Sequence, residues 1–323
     1  MTCSNSRRRR EQKRLSLTTH KLRTATRLLC LLCPLFRLAA QPPATIDINL
    51  DGRPFTTFHS GAGEGKPYLA PLRSPSGKII TRGYPMENIP GESRDHPHHR
   101  GLWFSYDDVN GAKFWENDPS YKDPRVGRIV TTQAVWNPAS NTLETVFDWN
   151  DHSGKTLLVE RRATTFQATP KLRIIDFDIT LTTSEKIVFG DTKEGAFAVR
   201  LADALTEKHG GKMVNAEGLT GMANVWGKRS NWVDYTGTID GEQLGVAMLD
   251  HPSNPGHPVH WHARDYGLFA LNPWGQHAFD PAAPENHTTL PAGESLRFRW
   301  RVVIHQGAAD IAEMYRDFAG RVP

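Results

Sequence analysis

Beyond residue 33 the chain contains no cysteine; its three, Cys3, Cys30 and Cys33, all precede that point. The body can therefore form no disulfide, no thiolate metal site and no cysteine nucleophile. Cys30-Leu31-Leu32-Cys33 has the redox CxxC spacing, but it sits in an apolar run with no strand before it and reads as accidental. A long apolar run is missing too. Leu28 to Phe36 falls short of the roughly 20 residues a membrane span needs, so no transmembrane span is expected. Basic excess is absent from the body. Of 39 Lys/Arg and 35 Asp/Glu, 29 and 34 lie after residue 40, a net charge of −5 there. A phosphate-backbone binder shows a basic face, so no nucleic-acid partner is expected. There is no P-loop, no GxGxxG entering a helix, no GxSxG elbow and no HExxH helix.

What is present begins with a basic leader over residues 1–40. Arginines and lysines from Arg7 to Arg27 precede the apolar Leu28–Phe36, and Leu38-Ala39-Ala40-Gln41 offers small residues for cleavage. This is the order of a secretory signal, which implies a periplasmic or secreted protein. The alternative is a basic tail on a cytoplasmic protein.

From Ile46 onward the chain reads as strand after strand. Ile175, Phe177, Ile179 and Leu181 alternate with Asp176, Asp178, Thr180 and Thr182, the period of a half-buried strand. Ser153-Gly154 separates two apolar runs as a hairpin turn does. Leu296, Phe298, Trp300, Val302 and Ile304 alternate in the same way, with Arg297, Arg299 and Arg301 expected on solvent. A helix is predicted only over Ala308 to Ala319, where Ile311, Met314, Tyr315 and Phe318 share a face before Gly320. The expectation is an all-β fold, a large antiparallel β-sandwich with a short C-terminal helix, as one domain over residues 45–323.

Three constellations could carry chemistry. Asp95-His96-Pro97-His98-His99-Arg100-Gly101 is a polar loop running into the apolar Leu102-Trp103-Phe104. Pro97 is expected to hold His96 extended. A loop of this kind presents reactive side chains at a cleft; the alternative is a histidine-rich surface loop. Gly190-Asp191-Thr192-Lys193-Glu194-Gly195 is the second, with a carboxylate that could act as general base. The third holds four histidines, His251, His257, His260 and His262, followed by Asn272-Pro273-Trp274. If Val259 to Ala263 is a strand, His260 and His262 share a face. The two histidine clusters are some 160 residues apart in sequence, and a fold that joins them makes one site.

The segments Asp95 to Trp103, Gly190 to Gly195, Asp250-His251-Pro252-Ser253-Asn254-Pro255 and Asp265-Tyr266-Gly267-Leu268-Phe269 together resemble a bacterial family named the PmoA family, or methane oxygenase PmoA, otherwise of unknown function. They span most of residues 45–323. Leu290-Pro291-Ala292-Gly293-Glu294-Ser295, before a long final strand, resembles the C-terminal strand entry of the galactose-mutarotase-like (aldose-epimerase) supersandwich. That likeness implies enzymes that open and close sugar rings with a histidine acid and a glutamate base, although no catalytic motif of that superfamily aligns.

The expected function is acid–base chemistry on a carbohydrate or sugar-derived small molecule: mutarotation, epimerisation or elimination. His98 or His99 is the expected acid and Glu194 the base. Arg100, Asp107, Lys193, Arg200, His260 and Asn272 are expected to hold substrate, with Trp103 or Trp274 stacked on a sugar ring. No cofactor is required in this reading. Two alternatives stay open. One is a non-catalytic carbohydrate-binding module. The other is an oxygenase or hydrolase whose divalent metal is held by His96, His98, His260 or His262 with a carboxylate.

Overall fold

The structure is a computed structural model that describes residues 42–320. The expected leader, and the cysteines with it, lie outside the described residues. Two large antiparallel sheets face one another. The first runs through β1 (Thr45–Leu50), β2 (Arg53–His59), β3 (Tyr68–Leu69) and β4 (Leu102–Val109), with β5 (Ala112–Lys113) beside β4. The chain then crosses to the second sheet for β6 (Arg128–Asn137), β7 (Thr142–Asn150), β8 (Thr156–Ala168) and β9 (Leu172–Thr182). It returns through β10 (Ile187–Phe189) to β11 (Gly195–Arg200), which pairs with β4. Three more strands, β12 (Lys212–Asn215), β13 (Trp232–Ile239) and β14 (Glu242–Asp250), extend the second sheet. The first sheet ends in the hairpin β15 (His260–Ala263) and β16 (Leu268–Asn272), with β17 (Thr288–Leu290) on β10. β18 (Ser295–Gln306) closes the second sheet between β14 and β9. No helix among these residues is long and apolar enough to cross a membrane.

Side-chain alternation builds the core. On β9 every second residue is buried, and Phe177 meets Phe197 of β11 with ring centroids 4.7 Å apart. Trp300 of β18 lies parallel to Phe197 at 4.9 Å and packs against Phe104 of β4 at 5.5 Å. The strands of both sheets thus turn one face to a shared aromatic interior. Residues at odd positions on β4 and even positions on β11, β15 and β16 fall on the opposite face, and this is where the site lies.

The C-terminal helix starts later than the periodicity predicts. It spans Ile311–Ala319, because the Asp310 side chain accepts the Glu313 amide at 2.8 Å and caps it there. Two one-turn helices, Met222–Val225 and Gln276–Phe279, have no periodic signal and were not expected. The arginines of β18 divide. Arg297 is exposed in a pair with Asp178, but Arg301 is 2% exposed, fork-paired to Asp176 and covered by Phe318 of the helix. Burying this cation under the terminal helix satisfies it with carboxylates from two elements, the second being Asp317 at 3.2 Å.

Candidate active site

The floor follows from register. Trp103 on β4 pairs with Ala198 on β11, Ala198 with Ala270 on β16, and Ala270 with His262 on β15. Two alanines between a tryptophan and a histidine leave room above the sheet. The 95–99 segment drops into that room. Pro97 predicts extended backbone at His96, yet His96 sits at φ 44°, in the left-handed region. Arg82 accounts for the difference. Its guanidinium, 1% exposed, donates to Asp95 O at 2.8 Å, Asp95 Oδ1 at 2.7 Å, His96 O at 3.0 Å and His99 O at 3.3 Å. The His99 amide closes the turn on His96 O at 3.0 Å. Gly101 then lets the chain enter β4 at φ 53°, where a Cβ would lie 2.2 Å from Leu69 O.

This turn stacks a column of rings. His99 lies on Trp103 at 5.4 Å, His96 on His99 at 4.8 Å, and Tyr266 on His96 at 5.3 Å. Beside the column opens a cleft of about 370 Å3, lined by His96, His98, His99, Glu116, Lys193, Glu194, His262, Arg264, Tyr266 and Leu268. The two histidine clusters therefore meet, through His262. Lys193 and Glu194 reach the same cleft and pair with each other.

Burial and nearby cations hold the histidines neutral. Desolvation, with Lys66 next, pushes His98 down to about 2. Desolvation, with His98 and Arg200 next, pushes His99 well below its ordinary value. Desolvation, with Lys193 and Arg264 next, pushes His262 down to about 3. Their tautomers are set by partners. Arg200 Nη1 donates to His99 Nδ1 at 3.2 Å, so neutral His99 carries its proton on Nε2. His262 Nδ1 donates to Lys193 O at 3.0 Å, which leaves a lone pair on Nε2. His98 Nδ1 shares a hydrogen bond of 2.8 Å with the Tyr121 hydroxyl. A neutral imidazole is a hydrogen-bonding group rather than a strong proton donor, so this geometry suits His98 and His99 to hydrogen bonding more than to the acid role expected of them.

The other expected substrate contacts are placed elsewhere. Trp103 is 1% exposed beneath His99, and Trp274 is packed between Phe189 at 4.2 Å and Tyr106 at 4.6 Å, so neither offers a free face to a ring. Arg100 pairs with Glu64 and Asp118. Asp107 is buried, accepts the Trp115 amide at 2.6 Å, and is raised by desolvation to about 6. Asn272 braces the second loop, donating to Thr192 O and accepting the Trp274 and Gly275 amides. Arg200 stands behind His99, its other partners being Asp95 at 2.7 Å and the Ser93 hydroxyl at 3.3 Å. His260 shares its face with His262 but is used up: Nδ1 donates to Gly227 O at 2.9 Å and Nε2 accepts from Arg229 at 3.2 Å. It therefore has no lone pair left for a metal. Among the described residues no three His, Cys, Asp or Glu side chains are placed to hold a metal ion.

Arg82, Tyr121 and Arg264 were not expected. Arg264 had a signal, since it continues the His260, His262 alternation by one step. Arg82 and Tyr121 had none, because each reaches the histidine turn from a separate segment.

Residues 45–319 match a family of unknown function (DUF6807), and the chain belongs to that family. No curated protein matches. Among solved structures, the chain is similar to a galactose mutarotase related enzyme from Lactobacillus acidophilus, at 8% identity and a TM-score of 0.38, covering 82% of this chain and 97% of that one. It is also similar to galactose 1-epimerase from Lactobacillus acidophilus NCFM, at 7% identity and a TM-score of 0.34, covering 82% and 98%. A protein assigned as a kojibiose phosphorylase from the human microbiome aligns at 11% identity and a TM-score of 0.34, covering 85% of this chain. The match spans only 32% of that longer protein. None of the proteins named here carries the PmoA name, and the family stands as one of unknown function.

Proposed function

We propose that the cleft transfers protons on a small hydroxyl-rich substrate, a sugar or sugar derivative. The observation that carries this is the meeting of the Glu194 carboxylate with three neutral imidazoles, His98, His99 and His262, in one cleft. Its volume of about 370 Å3 is in the range of roughly 300–1,000 Å3 typical of small-molecule sites. In this reading Glu194 takes a proton from the substrate as general base and delivers it where the reaction needs it: to the ring oxygen as the C1–O bond breaks in mutarotation, back to the same carbon in epimerisation, or to the departing hydroxyl as its C–O bond breaks in elimination. Negative charge then develops on a substrate oxygen, and the His99 Nε2–H is the neutral donor that stabilises it. His262 Nε2, with its lone pair, accepts a substrate hydroxyl.

Mutarotation, epimerisation and elimination all begin with such a step. The test is NMR of aldoses and sugar acids in deuterated buffer, following anomer interconversion and deuterium uptake, with wild type and Glu194→Gln. Enhanced exchange that falls by roughly 100-fold or more in Glu194→Gln supports general-base catalysis. Ligand binding with no exchange in wild type would instead make the protein a carbohydrate-binding module.

A further inference from the structure

We infer that the substrate of this cleft carries one carboxylate, held by Arg264; the inference rests on the proton-transfer reading of the same cleft. The other guanidiniums around the histidine turn are already paired. Arg82 and Arg200 share Asp95, each at 2.7 Å, and Arg100 is held by Glu64 and Asp118. Arg264 lines the cleft, and among the described residues its guanidinium makes no ion pair and no hydrogen bond; its Nε is buried without a partner. The group is held over the Tyr266 ring at 5.5 Å, beside Arg200 at 4.6 Å from the same ring. A guanidinium fixed on an aromatic face with its donors unused is a binding site for a planar anion.

Charge decides which anion. The charged side chains lining the cleft are Lys193 and Arg264 against Glu116 and Glu194, which cancel. Lys193 is already engaged by Glu194, and Glu116 by Lys113 at 2.6 Å. Among the described residues Arg264 is thus the lining charge that has no ion-pair partner, whereas Glu116 shares Lys113 with Asp107 and Asp123. Arg264 matches a monoanionic carboxylate and its fork can grip both oxygens. A phosphate dianion would bring a second negative charge toward two glutamates with no further unpaired cation lining the cleft; Lys208 stands on the Tyr266 ring at 5.7 Å but outside that lining. The fitting class is a sugar acid such as a uronate.

The test is titration calorimetry of the full chain with galacturonate and glucuronate, with galactose and glucose as neutral counterparts and glucose 6-phosphate as the phosphate counterpart. Wild type should bind a uronate more tightly than its neutral or phosphorylated counterpart. Arg264→Gln should weaken uronate binding by about 10- to 100-fold, the loss of a charge-assisted pair. Arg264→Lys, which keeps the charge without the fork, should recover part of it, and it carries the test if Arg264→Gln fails to fold. Unchanged uronate affinity in a folded Arg264→Gln, tighter binding of the phosphate or neutral sugar, or no uronate binding at all would each overturn the inference. Uronate binding through Arg264 without proton exchange would leave the inference standing and remove the catalytic reading. Exchange on neutral sugars with no uronate binding would do the reverse.

Discussion

Arg200 donates to His99 Nδ1 across 3.2 Å, and this one bond fixes which nitrogen of His99 carries a proton. The guanidinium cannot accept, so the imidazole must. Arg200 is itself fully buried and pinned by Asp95, so the arrangement is rigid. In Arg200→Met the His99 ring loses that constraint and both tautomers become populated. Nitrogen NMR of the imidazoles should show one protonated nitrogen on His99 in wild type and averaging in the variant. Proton exchange should fall by roughly 100-fold, as for a misplaced catalytic partner. Wild-type activity should show no limb near the ordinary histidine value from His98 or His99, because burial depresses both. A limb near the ordinary histidine value that vanishes in His99→Gln would contradict this.

The same burial makes the fold acid-sensitive. His98, His99 and His262 have folded-state pKa values depressed below their unfolded value of 6.5. Below that pH the unfolded chain binds protons that the folded chain refuses. Stability is therefore complete above it and declines as pH falls toward the folded values. One unit below the unfolded value, each histidine gives up on the order of 1.4 kcal/mol, or about 4 kcal/mol for the three. Urea titrations at pH 7.5 and 5.5 should show this loss, and His262→Gln should remove about a third of it.

His305 works in the opposite direction. It is 1% exposed and donates from Nδ1 to Gly307 O at 2.7 Å and from Nε2 to Asp234 at 3.1 Å, so both nitrogens carry protons. Desolvation lowers its pKa, but Asp234 overcomes this and the net shift is upward. Its contribution is present in full below the unfolded value and is lost as pH rises through the raised one. The stability difference between wild type and His305→Gln should shrink from pH 6 to pH 8.5. A difference that grew with pH would disprove the imidazolium assignment.

Between the sheets lies a buried ion pair. Glu160, 0% exposed, accepts from Arg162 Nε at 2.7 Å and from Trp149 Nε1 at 2.9 Å, while Arg162 packs over Phe147 at 4.7 Å. Arg162→Met should cost roughly 3–5 kcal/mol, because it leaves a buried carboxylate unpaired. The double variant Glu160→Leu with Arg162→Met should recover most of that, short of about 1 kcal/mol for the Trp149 bond. Denaturant midpoints of the single and double variants decide it.

The sequence by itself determined the all-β fold, the long alternating strands β9 and β18, the hairpin at Ser153-Gly154 and the terminal helix. Period-two alternation is a local property, and burying one face of a strand enforces it wherever the partner lies. It also placed His98, His99, Lys193 and Glu194 in polar loops entering strands, and all four line the cleft. Tertiary structure alone decided the rest. Register set Ala198 and Ala270 between Trp103 and His262 and so made the cavity. Arg82, distant in sequence, bent His96 against the preference imposed by Pro97. The choice of His262 over His260, and the capture of Arg100, Arg200 and Asn272 by structural partners, depended on which neighbour the tertiary fold brings to each polar group. Composition and periodicity record which residues are polar or apolar. They do not record which charges are already paired, and in this cleft that difference separates Arg264 from every other arginine around it.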